Sequence, residues 1–179
     1  MKQNLIFVFL LLATLLMVNA IPTQLNKRAT VFRPCAKTPL DVIVEPDPPV
    51  SGAKAKYYVS GTLKRTIHHN YVLAVLYLDI STDPPKLIDI RGAYICEPDG
   101  VLDCPYPANT PIDVILSTKV PPALPKTYGI AVAIGNEKLD IVLGCATAVV
   151  GGTPGFALTL PAIQMSFDPA INMSSIEAK

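Results

Sequence analysis

"VEPDPPVSGAKAKYYVSGTLKRTI", residues Val44 to Ile67, decides how the chain is read. Pro46, Pro48 and Pro49 fix extended geometry, remove backbone donors and blunt a sheet edge, and Gly52 permits a turn. Strict alternation follows. Ala53, Ala55, Tyr57, Val59, Gly61 and Leu63 share one face, while Lys54, Lys56, Tyr58, Ser60 and Thr62 share the other. Period two with one apolar face is a half-buried antiparallel strand. Its lysine face points to water. Its small apolar face is expected to leave space beneath it.

The same period recurs along the chain. "PIDVILSTK" aligns Ile112, Val114 and Leu116, and "TYGIAVAIG" aligns Tyr128, Ile130, Val132 and Ile134. "KLDIVLGC" places Leu139, Ile141, Leu143 and Cys145 together. In "KLIDIRGAYIC" the inner face is assigned to Ile88, Ile90, Tyr94 and Cys96. "YVLAVLYLDI" differs: Tyr71, Leu73, Val75 and Tyr77 form one apolar face, and Val72, Ala74, Leu76, Leu78 and Ile80 form another. A sandwich strand of that kind needs a cover on its outer side. With a first strand near Leu40–Val44, about seven short strands are separated by "DPPVSG", "STDPPK", "EPDG", "PPALPK" and "GNEK". Prolines scattered throughout oppose long helices. The expected fold is all-β, an immunoglobulin-like two-sheet β-sandwich of about seven strands. The chain has no tryptophan, so an antibody-type core is not expected.

The ends set the compartment. Lys2 precedes an apolar run from Leu5 to Val18 that closes on Val18-Asn19-Ala20. That run is shorter than the roughly 20 residues of a membrane span, so residues 1–20 read as a secretory signal rather than an anchor. Residues 21–28 end in Lys27-Arg28 and read as a propeptide with a dibasic processing site; the alternative is an ordinary exposed basic pair. Removing residues 1–28 takes away Lys2, Lys27 and Arg28 and no acid, leaving 12 basic against 14 acidic side chains. That balance speaks against nucleic-acid binding. Secretion, or the lumen of the secretory or vacuolar pathway, is the expected location.

Cys35, Cys96, Cys104 and Cys145 are the only cysteines. An even number in a secreted chain reads as two disulfides, for which three pairings are possible. Cys96 and Cys104 flank the turn-rich "EPDGVLD", which makes a local bridge easy. Zinc ligation is disfavoured by the spacing and by the oxidising compartment.

The set of Cys35, "PDPPVSG" (46–52), "YYVSGTL" (57–63), Cys96, "DCP" (103–105), "PKTY" (125–128) and Cys145 resembles the ML (lipid-recognition) domain family, and within it the fungal phosphatidylglycerol/phosphatidylinositol transfer proteins. The resemblance covers roughly 33–146. It implies a sandwich whose sheets splay to hold acyl chains or a sterol, no catalytic residue, and Cys35–Cys145 and Cys96–Cys104 pairing. The chain departs from the family pattern in "YPANTP" after Cys104-Pro105, where the family tends to carry a glycine. It also continues well beyond Cys145.

Alternation and resemblance together define domain 29–150 and an extension, 151–179. The expected cavity lining is Tyr57, Val59, Leu63, Leu73, Val75, Tyr77, Ile90, Ile112, Val114, Leu116, Tyr128, Ile130, Val132 and Ile141. Each of these is equally readable as ordinary core. Lys64, Arg65, His68 and His69 cluster near a strand end as candidate contacts for anionic headgroups, against the plainer reading of a solvated turn. Asn172 heads the glycosylation sequon Asn172-Met173-Ser174. No cofactor or metal is expected, and two histidines without context do not make a catalytic set. The expected protein is a monomeric carrier of a phospholipid of the phosphatidylinositol or phosphatidylglycerol class, touching membranes transiently. The alternatives are a sterol carrier or a secreted interaction protein with a filled core. Part of 155–167 is expected to cover the outer face of 71–80 or the cavity mouth.

Overall fold

The computed structural model describes residues 30–96, 98, 100–152 and 175–178. The expected signal, propeptide and sequon, and segment 155–167, lie outside these residues. Among the described residues there are nine strands and no helix: β1 (Arg33–Pro34), β2 (Asp41–Glu45), β3 (Lys54–Thr62), β4 (Tyr71–Asp79), β5 (Lys86–Tyr94), β6 (Pro111–Lys119), β7 (Tyr128–Asn136), β8 (Val142–Val150) and β9 (Ser175–Ala178). Two antiparallel sheets result, one ordered β1-β8-β7-β4-β5 and the other β2-β3-β6-β9. The all-β two-sheet sandwich is as expected. The expected seven strands correspond to β2–β8, and β1 and β9 are short edge additions.

Alternation explains how the sheets pack. Ala55, Tyr57 and Val59 of β3, Ile112, Val114 and Leu116 of β6, Leu73, Val75 and Tyr77 of β4, and Ile130, Val132 and Ile134 of β7 join one buried cluster between the sheets. Each fully buried aliphatic side chain there contributes about 1.5–3 kcal/mol relative to exposure. Lys54 and Lys56 face water. The second face of β4 is buried as well. Val72, Ala74, Leu76 and Leu78 form a separate cluster with Ile90, Ala131 and Leu139 on the far side of the five-stranded sheet.

The quoted proline run forms the β2–β3 connection. Gly52 sits at φ +77°, a left-handed conformation suited to glycine, and Ala53 N donates to Val50 O at 3.0 Å. Asp47 accepts the Thr30 backbone N–H on both carboxylate oxygens at 2.9 Å, which ties down the start of the domain. At Gly61 a Cβ would lie 3.2 Å from Leu40 Cδ2, so the missing side chain admits Leu40 at that position.

Two bulges shift the alternation. On β5, Leu78 pairs with Leu87 while Tyr77 pairs with Asp89, leaving Ile88 as an extra residue. Beyond it the phase inverts, so Ile90 and Tyr94 lie on the outer cluster and not between the sheets. At β8, Ile134 pairs with Gly144 and Gly135 with Val142, so Leu143 is extra. Residues 137–141 form a turn in place of the strand's first half, with Leu139 N bonded to Asn136 O and Ile141 N to Asn136 Oδ1. Ile141 is 40% exposed. Cys145 pairs with Ala133, between the inward Val132 and Ile134, and so is turned from the inter-sheet cluster.

The disulfides are Cys35–Cys145 and Cys96–Cys104, with Cα separations of 5.3 and 5.7 Å. Both lie within the ordinary range. The first joins β8 to the segment after β1. The second closes the loop after β5.

Candidate functional site

The space between the sheets gathers the expected lining residues with two exceptions. Tyr57, Val59, Leu63, Leu73, Val75, Tyr77, Ile112, Val114, Leu116, Tyr128, Ile130 and Val132 all belong to the inter-sheet cluster. Ile90 faces the opposite side of its sheet, and Ile141 is exposed on a turn, for the reasons given above. β3 and β6 position the residues of one wall, and β4 and β7 those of the other.

The interior is not uniformly apolar. The Tyr57 and Tyr77 phenol oxygens lie 2.9 Å apart, one on each sheet, and both residues are fully buried. Tyr128 packs beside Tyr77 with ring centroids 6.5 Å apart, and its hydroxyl donates to Pro49 O at 3.4 Å. Burial raises all three phenol pKa values: Tyr57 and Tyr77 well above the ordinary range, Tyr128 to about 12. All three therefore stay neutral at physiological pH and act as donors as well as acceptors.

Charged side chains also reach the inner face. Directly paired residues in an antiparallel ladder share a face. Asp89 pairs with Tyr77, Arg91 with Val75 and Ala93 with Leu73, and Tyr77, Val75, Leu73 and Ala93 all belong to the inter-sheet cluster. Asp89 and Arg91 thus point inward from β5, the edge strand of its sheet. Asp89 Oδ2 accepts from Arg91 Nε at 3.0 Å and from Nη2 at 2.7 Å, and Oδ1 accepts the Ile90 N–H at 2.8 Å. Their side chains are 22% and 28% exposed. Sequence reasoning missed this pair because it carried the inward phase of Ile88, which does pack on the inter-sheet cluster, on to Ile90, which does not. The alternating polar residues at 89 and 91 were visible, but the bulge that turns them inward was not.

Lys64, Arg65, His68 and His69 are exposed on the β3–β4 connection, clear of the inter-sheet cluster. His68 lies 5.9 Å from the Tyr71 ring between centroids. Among the described residues no group of three or more His, Cys, Asp or Glu side chains could hold a metal ion. No described helix is long and apolar enough to cross a membrane.

Residues 29–150 match the ML domain family. Among solved structures, the chain is similar to a Niemann-Pick type C2 protein from the Japanese carpenter ant, with a TM-score of 0.53 and 20% identity over 67% of this chain and 97% of that one. Chicken MD-1, solved as a complex with lipid IVa, gives a TM-score of 0.48 and 15% identity over 66% of this chain and 86% of that one. The first of these likenesses concerns the fold. No curated protein matches the chain in sequence.

Proposed function

The chain belongs to the ML domain family, and from that premise we propose that it is a lipid-binding and lipid-transfer protein that carries its ligand between the two sheets and transforms nothing. The observation that carries this reading is the inter-sheet cluster itself. Two sheets contribute a continuous apolar region interrupted by tyrosine hydroxyls and by one half-buried ion pair at its edge. Such a lining suits acyl chains with a small polar end. Each CH₂ withdrawn from water is worth about 0.8 kcal/mol, so a sixteen-carbon chain could contribute on the order of 10 kcal/mol before binding costs.

A phospholipid of the phosphatidylinositol or phosphatidylglycerol class is the proposed ligand, in line with the sequence resemblance and with the charged pair on the inner face. The exposed basic turn at Lys64, Arg65, His68 and His69 is the proposed surface for transient contact with an anionic membrane. Two disulfides suit an oxidising compartment, so the proposed setting is secretion or the secretory lumen.

Organic extraction of the purified protein followed by mass spectrometry tests the reading. Co-purified phospholipid, together with uptake from vesicles near one lipid per chain, is the expected result. A lipid-free protein with no measurable uptake of phospholipid or sterol would instead favour a filled-core interaction protein.

A further inference from the structure

The Arg91–Asp89 pair lies on an edge strand, where a bulge and inward-pointing charges blunt the edge against pairing with another chain, but that purpose does not call for unused donors. The bulge at Ile88 turns the two charges inward, and without it Ile88, Ile90 and Gly92 would alternate on the inner side. Charges withdrawn from water are costly unless paired and hydrogen-bonded, and here the pairing is incomplete. A guanidinium carries five N–H donors. Two of Arg91's are engaged by Asp89, at Nε and Nη2, and the other three have no partner among the described residues. Asp89 leaves lone pairs open on Oδ1 beyond the one that accepts the Ile90 N–H. Directly opposite Asp89 in the ladder is Tyr77, bonded to Tyr57 across the interior. Only one of those two phenols can donate within the pair, so the other keeps an unused O–H. The inner edge at β5 therefore offers a fixed cation with free donors, a carboxylate that accepts, and a neutral phenol donor deeper in.

We propose that Arg91, oriented by Asp89, binds the phosphate of the carried lipid at the β5 edge, with Asp89 accepting a headgroup hydroxyl and the Tyr57–Tyr77 pair donating to an ester oxygen. This rests on the lipid-carrier reading and deepens it by naming the headgroup subsite. The three features match a glycerophospholipid with a hydroxyl-bearing headgroup. A planar guanidinium held in place by a carboxylate is well suited to phosphate oxygens. The carboxylate beside it disfavours a bare phosphate monoester and favours a headgroup that brings its own donors. The exposed side chains 64–69 then serve the membrane surface and not the loaded headgroup.

The test compares wild type, Arg91→Gln and Asp89→Asn for loading from phosphatidylcholine vesicles containing phosphatidylglycerol or phosphatidylinositol, with diacylglycerol as a ligand that lacks phosphate. Arg91→Gln is expected to lose about tenfold or more in preference for the two anionic lipids, the effect of a lost charged hydrogen bond. Its diacylglycerol uptake should fall by much less than its uptake of the two anionic lipids. Asp89→Asn should narrow the discrimination against phosphatidic acid, supplied in the same vesicles in place of phosphatidylglycerol. In the wild-type protein, which needs no substitution to fold, the Arg91 Nε resonance should shift on loading with phosphatidylglycerol and stay in place with diacylglycerol. If wild type loads these lipids but Arg91→Gln keeps the same preference, or the Arg91 resonance does not respond, the subsite is wrong while the carrier reading stands. If wild type takes up none of the lipids, both are overturned.

Discussion

The phenol oxygen of Tyr57 on β3 lies 2.9 Å from that of Tyr77 on β4, so a single hydrogen bond joins the two sheets across the apolar interior. Both side chains are fully buried. The asymmetry of such a bond is what makes it testable: removing one partner strands a buried polar group, whereas removing both strands none. Tyr57→Phe and Tyr77→Phe should each cost about 1–3 kcal/mol in denaturant unfolding. The double substitution should cost much less than the sum. Additive effects would show that the two hydroxyls are not mutual partners.

The same burial predicts an alkaline limit. Tyr57, Tyr77 and Tyr128 all have folded pKa values raised above the ordinary 10.0, chiefly by desolvation. A raised value means that the folded chain holds these protons after the unfolded chain has released them. Their contribution to stability is therefore complete below pH 10 and declines as pH rises through about 12, where Tyr128 ionises. Phenolate absorbance followed alongside circular dichroism should show late-titrating tyrosines ionising together with loss of the fold. Full ionisation with an intact fold near pH 10 would contradict the buried placement.

The disulfides differ in reach, and so in their expected effect. Cys35 and Cys145 are 110 residues apart, and Cys96 and Cys104 are 8 apart. In the loop-entropy account, losing the first costs about 4.5 kcal/mol and losing the second about 2.5 kcal/mol. Paired Cys→Ser variants, unfolded in denaturant, should keep that order. Peptide mapping without reduction should recover those two links and no link from Cys35 to Cys96 or Cys104.

Val132 sits at the middle of β7, fully buried in the inter-sheet cluster opposite Val75 in the ladder. Val132→Trp should sharply lower lipid uptake while the strand signal in circular dichroism persists, because the ring would occupy the ligand's place. In a filled core the same change overpacks and typically costs about 1–3 kcal/mol. Loss of stability together with unchanged uptake at full stoichiometry would mark position 132 as ordinary core.

The outer cluster makes its own demand. Val72, Leu76 and Leu78 are buried on the side of the five-stranded sheet away from the second sheet. β8 ends at Val150 in the five-stranded sheet, and β9 lies beside β6 in the other. The proposal that part of 155–167 covers the outer face or the cavity mouth is tested by truncation after Val150, set against truncation after Ser174, which removes β9 alone. A drop of a few degrees in Tm with new binding of hydrophobic dyes is expected. Unchanged stability, dye binding and lipid uptake would make the extension an independent appendage.

Period two in residues 53–63, 71–80, 111–119 and 128–135 was enough to place those strands, their inner faces and the all-β class. Each side chain's direction there follows from its own position in an unbroken pleat. The resemblance in cysteine order carried the disulfide pairing. What the sequence did not determine depends on its neighbours. The bulges at Ile88 and Leu143 arise from how β5 and β8 register against β4 and β7. One extra residue inverts every side chain beyond it, and so Ile90 left the interior and Asp89 and Arg91 entered it. The meeting of Tyr57 with Tyr77 belongs to the same class. Twenty residues and two different sheets separate them, and a contact across a sandwich exists only once both sheets have formed and packed.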